Sequence, residues 1–392
     1  MTIHSNIFED TQTAYASKNN RALKESQTLF KLIGNSSLVS AGTFFAQIAL
    51  KLHLPITPLF RITVYEQFCG GETFNECKKT IKKLSDKNVG AMLNYGVELK
   101  ECEDDFEKTI QHNLEAIEFA GKNKSVQVVC IKITGFGRLA LFEKVQNKEE
   151  LSKREAEEFD SVKDRFNQLC KAASKHKVQI YVDAEESWIQ DALDELTENM
   201  MAQYNTSSAI VFNTFQLYRW DRLSYLQKEL KRASEKGFVL GAKLVRGAYI
   251  EKENKRAADM GYKSPIHKNK KAVDKDFDEA VEICLNNISH VAFCVASQSE
   301  ASNLLAIQLM QKKNIRFNHP HVLFSQLYGM GDNVTFNLAR LGFNATKYLP
   351  YGPVKDVIPY LIRRAQENSS VQGQMSRELK LITTEIERRK IA

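Results

Sequence analysis

The 392-residue sequence holds only seven prolines and seven cysteines, and no two cysteines form a CxxC pair. An odd, scattered set argues against both a disulfide framework and a zinc site, and it favours a reducing compartment. No basic block carries interleaved aromatics, so nucleic acid is not an expected partner. The opening "MTIHSNIFEDTQ" lacks a basic n-region and an apolar h-region, and Glu9 and Asp10 speak against an organellar transit peptide. Internal repeats and low-complexity linkers are absent too. What is present is an ordinary globular composition, 43% hydrophobic and 26% charged, enough to bury a large core. The formal charge of +7 suits an anionic membrane surface without requiring one.

From about Val89, eight short apolar or β-branched runs alternate with stretches of helical period: "NVGAMLNYG", "VVCIKITG", "VQIYVDAEE", "AIVFNTFQLY", "FVLGAKLVRGAY", "VAFCVASQS", "HVLFSQL" and "ATKYLPYG". Amphipathic helices are expected over Asp104 to Ala120, Asp221 to Lys236 and Ala272 to Ile288. Eight strand-then-helix units predict an α/β fold of the (β/α)8 TIM-barrel type, with a doubly wound sheet as the alternative. The predicted organisation is a helical extension over 1–87, the barrel over 88–370 and a helical tail over 371–392. Barrels of this kind carry their sites at the strand C-termini. Lys132, Asp183, Gln216, Lys243 with Arg246, Ser297 with Gln298, Gln326 and Tyr348 stand late in otherwise apolar runs. The uncharged run Leu32 to Leu50 is too polar for a confident membrane span. It reads as a helix packed on the barrel or, with residues up to 60, as one lying in a membrane interface.

Three motifs compete for attention. "ITGFGRLA" matches a dinucleotide phosphate turn, but the next strand follows some forty residues later, so Gly135 and Gly137 read better as a glycine turn before a helix. His319 and His321 of "NHPH" lack a third ligand, and no metal is expected. Lys243 in "KLVR", or Lys132, could form a Schiff base as in barrel lyases. In "YLPYGPVKDVIPYLIRRAQEN", a helix starting at Pro359 would place Tyr360, Arg363, Arg364 and Glu367 on one face at i, i+3, i+4 and i+7, near its own positive end. That face is either solvated or a seat for a small carboxylate. The second pair, in "IERRKIA", is expected to be solvated at Arg388.

Three of these segments, "KLVRGAY", "FSQLYGM" and "YLPYGPVKDVIPYLIRRAQEN", resemble proline dehydrogenase, and the likeness runs over most of the chain from Val64 onward. "GYKSPI" is similar to the form found in mitochondria and in stand-alone bacterial enzymes. The resemblance implies a distorted (β/α)8 barrel holding FAD at the strand ends without a dinucleotide-binding domain. It implies L-proline as substrate, pyrroline-5-carboxylate as product and a membrane quinone as electron acceptor. Pyrroline-5-carboxylate dehydrogenase would be the pathway partner, with the chain cytoplasmic or peripheral to an inner membrane, the mitochondrial one in a eukaryote. Carried over by position, it assigns Arg363, Arg364 and Lys132 to the substrate carboxylate, with Glu367 holding the arginines. Tyr249, Leu327, Tyr348 and Tyr360 would wall the ring, and Lys132, Asp183 and Tyr348 would be the catalytic set. Gln216, Lys243, Arg246, Gly247, Ala248, Ser297, Gln298 and Glu367 would contact the flavin. Two positions depart from the bifunctional bacterial enzymes: Lys243 replaces an arginine, and "VASQS" puts Gln298 where a histidine is usual. A dead barrel serving as a sensor or scaffold is the non-enzymatic alternative.

Overall fold

The computed structural model describes residues 6–35, 37–40, 42–43, 57–96, 102–370 and 374–391, with the side chains of Leu59, Arg363 and residues 365–375 outside that description. Eight parallel strands close into a barrel in sequence order: β1 (Val89–Tyr95), β2 (Val126–Ile131), β3 (Gln179–Val182), β4 (Val211–Gln216), β5 (Leu240–Val245), β6 (Val291–Ala296), β7 (Val322–Leu327) and β8 (Ala345–Tyr351). Each expected run supplies one strand, and the doubly wound alternative falls to the closure of the sheet. Such runs are nearly continuous in apolar residues because strands of a closed parallel sheet are covered on both faces, and all six residues of β4 are buried.

Local signals set the helix limits. The helix Lys153–His176 opens on a capping box, Ser152 with Glu155, and closes on Lys177 in the left-handed conformation at φ 56°. The expected helices occur as Glu103–Gly121, Arg222–Lys236 and Lys270–Asn286. "ITGFG" forms a short 3-10 turn, Ile133–Gly135, before the helix Leu139–Gln146. A Cβ on Gly137 would stand 2.6 Å from Val162 Cγ2, so close packing against the Lys153–His176 helix accounts for that glycine.

One expectation fails. The helix carrying the Arg-Arg pair runs Val354–Ser370, with Pro359 inside it instead of at its start. Pro353 begins it, its carbonyl accepting from Asp356 N (2.9 Å) and Val357 N (3.1 Å). Pro359 only forfeits one N–H in the second turn. Tyr360 and Arg364 therefore lie beyond the first turn, where the helix dipole gives an anion little help.

The chain divides into two compact units, Leu99–Ser325 and Met1–Glu98 with Gln326–Ala392. The second has its own apolar cluster, in which Phe30, Ile33, Tyr65 and Phe68 meet Val357 and Leu361 of the Val354–Ser370 helix. Leu381, Ile382 and Ile386 of the helix Gln374–Arg388 complete it. The interfacial segment expected within residues 32–60 falls largely outside the described residues, and among the described residues no helix is long and apolar enough to cross a membrane.

Candidate active site

Within the larger unit, Lys243 points from β5 into the barrel, where it is buried and ion-paired with Asp183, just past β3. Burial pushes the Lys243 ammonium down. Asp183 and the thiols of Cys130 on β2 and Cys294 on β6 push it up further, and the net direction is upward. A Schiff-base lysine has to release its proton at neutral pH, and this environment opposes that. Burial pushes the Cys294 thiol to about 12, so neither it nor the still more strongly shifted Cys130 acts as a thiolate.

Lys132 follows β2 and faces a carboxylate that sequence reasoning did not single out. Glu185, in "DAEE", is buried and accepts from Thr134 Oγ1 at 2.7 Å. Burial raises the Glu185 carboxyl, and the neighbouring Lys132 charge and the Thr134 hydrogen bonds only partly offset it. Gln216, buried at the end of β4, donates its amide N–H to Glu185 O at 2.8 Å. That bond fixes the orientation of the side-chain amide.

Arg246, one residue past β5, is held on four sides. Its Nε donates to Asp274 (2.8 Å), Nη1 to Ser297 Oγ (2.6 Å) and Nη2 to Ser302 Oγ (2.9 Å), and the guanidinium lies 4.4 Å over the Phe277 ring. Burial would raise the Asp274 carboxyl, but the hydrogen bonds from Lys270 and Arg246 outweigh it and hold it below its usual range. Asp274 and Ser302 were not legible as site residues, because they sit on helices whose sequence reads as amphipathic surface. Gly247, Ala248 and Tyr249 continue from Arg246, half-buried, with Tyr249 capping the helix Ile250–Met260. Gln298, also half-buried, follows Ser297. A fixed guanidinium, serine hydroxyls and a Gly-Ala backbone at strand ends form a donor set chemically suited to the pyrophosphate of a dinucleotide such as FAD.

Within the other unit, Leu327 ends β7, Tyr348 stands in β8, and Tyr360 and Arg364 occupy the Val354–Ser370 helix. Tyr348 O accepts from Tyr328 N at 2.9 Å. The Arg364 guanidinium lies 5.5 Å over the Tyr360 ring, and Leu327 and Tyr360 pack on the apolar cluster. Arg363 and Glu367 lie outside the described side chains. His319 and His321 have structural partners: the ring Nδ1 of His321 meets Ile288 O at 2.8 Å, and that of His319 accepts from His321 N at 3.2 Å. Arg388 is not merely solvated, because it donates twice, at 2.8 Å each, to the fully buried Glu385.

Comparison with known proteins gives a consistent result. The proline dehydrogenase family model matches residues 77–377. The chain is 33% identical to the carbapenem antibiotics biosynthesis protein CarD of Pectobacterium carotovorum subsp. carotovorum over 322 residues, 82% of this chain and 83% of that one. It is 30% identical to the mitochondrial proline dehydrogenase 1 of Dictyostelium discoideum, covering 97% of this chain and 74% of its relative. Its fold is similar to that of proline utilization A (PutA) from Bdellovibrio bacteriovorus, with a TM-score of 0.73 at 17% identity. That alignment covers 93% of this chain but only 39% of the solved one.

Proposed function

We propose that this chain, which belongs to the proline dehydrogenase family, oxidises L-proline to pyrroline-5-carboxylate with FAD as its cofactor and a membrane quinone as the electron acceptor. The reading is carried by the extent of the family match, which takes in every strand from Val89 to Tyr351 and runs on to residue 377. When bound, the flavin supplies a hydride acceptor, which no side chain of this chain can provide.

The protein's own residues bind and orient. Arg364, with Arg363 and Lys132, takes the substrate carboxylate, the guanidiniums by bidentate hydrogen bonds, and Glu367 sets their orientation. Tyr249, Leu327, Tyr348 and Tyr360 exclude water from the ring. Arg246, Gly247, Ala248, Ser297 and Gln298 hold the cofactor's phosphates, and Gln216 accepts from its ring edge. Lys243 reaches the cofactor only in company with Asp183, since the two neutralise each other in the barrel interior. A lysine so paired keeps its proton, and the pair as a whole carries no net charge. The product suits a pyrroline-5-carboxylate dehydrogenase as the next enzyme, and a membrane acceptor calls for peripheral contact with the bilayer.

An anaerobic titration decides the matter. Purified protein should be yellow and should bleach on addition of L-proline, with quinone restoring the colour. Turnover at low proline should climb toward alkaline pH, because hydride leaves most readily from the neutral amine. A colourless protein that takes up no FAD would sink the proposal.

A further inference from the structure

The turn after β7, Leu327 to Gly331, carries one of the residues proposed to wall the substrate, and its backbone is gripped to an unusual degree. Met330 N closes it onto Leu327 O at 3.1 Å. Lys347 of β8 donates to Met330 O (2.5 Å) and Leu327 O (3.4 Å), and Gln67 donates to Gly329 O (2.8 Å). Gly329 sits at φ 82°, and a Cβ there would come within 2.1 Å of Gln67 O. Glu378 of the helix Gln374–Arg388 accepts from Gly331 N at 2.5 Å. The gripping side chains are themselves linked. Lys347 is paired with Asp332 at 2.8 Å, and Lys18 lies 3.8 Å from Asp332. Lys18 also donates to Ser26 Oγ (3.1 Å), which donates to Gln67 Oε1 (3.0 Å). Glu378, Asp332 and Lys347 are all buried. Groups so costly to desolvate are seldom gathered only to close a turn that Met330 N already closes.

We propose that Glu378 is a positioning residue for the substrate: by accepting the Gly331 N–H inside this buried cluster, it fixes the Leu327–Gly331 turn and so the face that Leu327 presents to the proline ring. The inference rests on the proposed role of Leu327. It gives a function to segments read from sequence as a bare N-terminal extension and C-terminal tail, since Lys18, Gln67 and Glu378 all belong to them.

The arrangement also has a pH signature. Burial pushes the Glu378 carboxyl up to about 7. Asp332 adds to the shift, while the Gly331 N–H, Lys347 and Lys18 oppose it. Tyr15 faces the same group from the N-terminal segment. Above about 7 the ionised carboxylate is the stronger acceptor, so the turn tightens as pH rises. Global stability moves the other way. A carboxyl raised above its unfolded value of about 4.5 contributes stability below that pH, and the contribution is lost as pH rises through about 7. A purely structural carboxyl would show the second effect without the first.

The test compares wild type with Glu378→Gln, which keeps a neutral acceptor, and Glu378→Met, which removes it. In Glu378→Gln, KM for proline above pH 8 should rise about fivefold with kcat nearly unchanged, the difference expected between a charge-assisted and a neutral hydrogen bond. The inflection near pH 7 in kcat/KM should vanish, while the alkaline climb from the substrate amine persists. Hydrogen exchange at Gly331 should quicken in Glu378→Gln and more so in Glu378→Met. Unchanged KM with the inflection retained, or unchanged exchange at Gly331 in Glu378→Gln, would overturn the proposal. Exchange needs no turnover: if wild type fails to oxidise proline, the proposed function falls, and the exchange arm still decides whether Glu378 holds the turn.

Discussion

At the scale of single residues, the charged side chains differ in what the protein places around them. Lys243 and Asp183 neutralise each other, and Arg246 spends three donors on Asp274, Ser297 and Ser302. The Arg364 guanidinium lies over the Tyr360 ring of the Val354–Ser370 helix, and its proposed partner is the substrate carboxylate. Arg364→Met should therefore lower kcat/KM for proline by roughly two orders of magnitude or more, because truncating one partner of a desolvated charge pair typically costs about 2–5 kcal/mol. FAD content should stay near normal, and Arg364→Lys should recover only part of the loss. Arg388, which a reading of the sequence offers as an indifferent control, is disqualified by its bonds to buried Glu385. Arg154, 89% exposed in its side chain, serves instead. Equal defects in Arg364→Met and Arg154→Met would remove Arg364 from the substrate site. The sequence showed the cationic and aromatic types at strand ends, but not Glu185, Asp274 or Ser302. Asp274 and Ser302 sit on helices, where a carboxylate or hydroxyl gives no sign of which way it faces, and Glu185 lies in the irregular segment after β3.

At the scale of elements, the eight strands were legible because burial on both faces leaves a nearly unbroken apolar run, whereas the start of the Val354–Ser370 helix was not. Two prolines, Pro353 and Pro359, both carry a starting signal, and only packing of Val354, Val357 and Leu361 into the apolar cluster decides for the first. Helices also hide internal strain. Glu229, on Arg222–Lys236, is fully buried, neither carboxylate oxygen has a hydrogen-bond partner, and Arg232 stands 3.8 Å off. Burial pushes this carboxyl up to about 7. Since the folded value lies above the unfolded one, the stability it contributes is present below about pH 4.5 and lost as pH rises through about 7. Glu229→Gln should flatten that decline and be more stable than wild type at pH 8 by about 1–3 kcal/mol, because a neutral amide replaces a carboxyl that has to ionise in a buried site. Urea titrations at pH 5 and pH 8 measure it. A decline of the same slope in both proteins would assign the pH dependence elsewhere.

At the scale of the whole molecule, the helix Gln374–Arg388 is where sequence and structure lead to different experiments. Its sequence, "QMSRELKLITTEIER", is rich in charge and follows the last motif of the barrel, so it reads as a tail. In the structure, Leu381, Ile382 and Ile386 are buried in the cluster with Phe30, Tyr15 and Leu361. Its buried Glu385 accepts from Thr11, Arg388 and Arg389, while Arg389 donates onward to Lys18 O and Tyr15 O at 2.8 Å each. Burying three aliphatic side chains contributes about 5–9 kcal/mol at 1.5–3 kcal/mol each. That is comparable with the whole net stability of a domain, about 5–15 kcal/mol. Truncation after residue 373 would also expose the apolar partners on Asn20–Ile33 and leave Lys18 and Asp332 without Glu378. A chain so shortened should lose about 10 °C or more of Tm and aggregate, with flavin content and turnover falling together. A dispensable tail predicts the reverse: Tm, flavin content and proline oxidation all within error of the full chain, with no more binding of a hydrophobic dye than wild type shows.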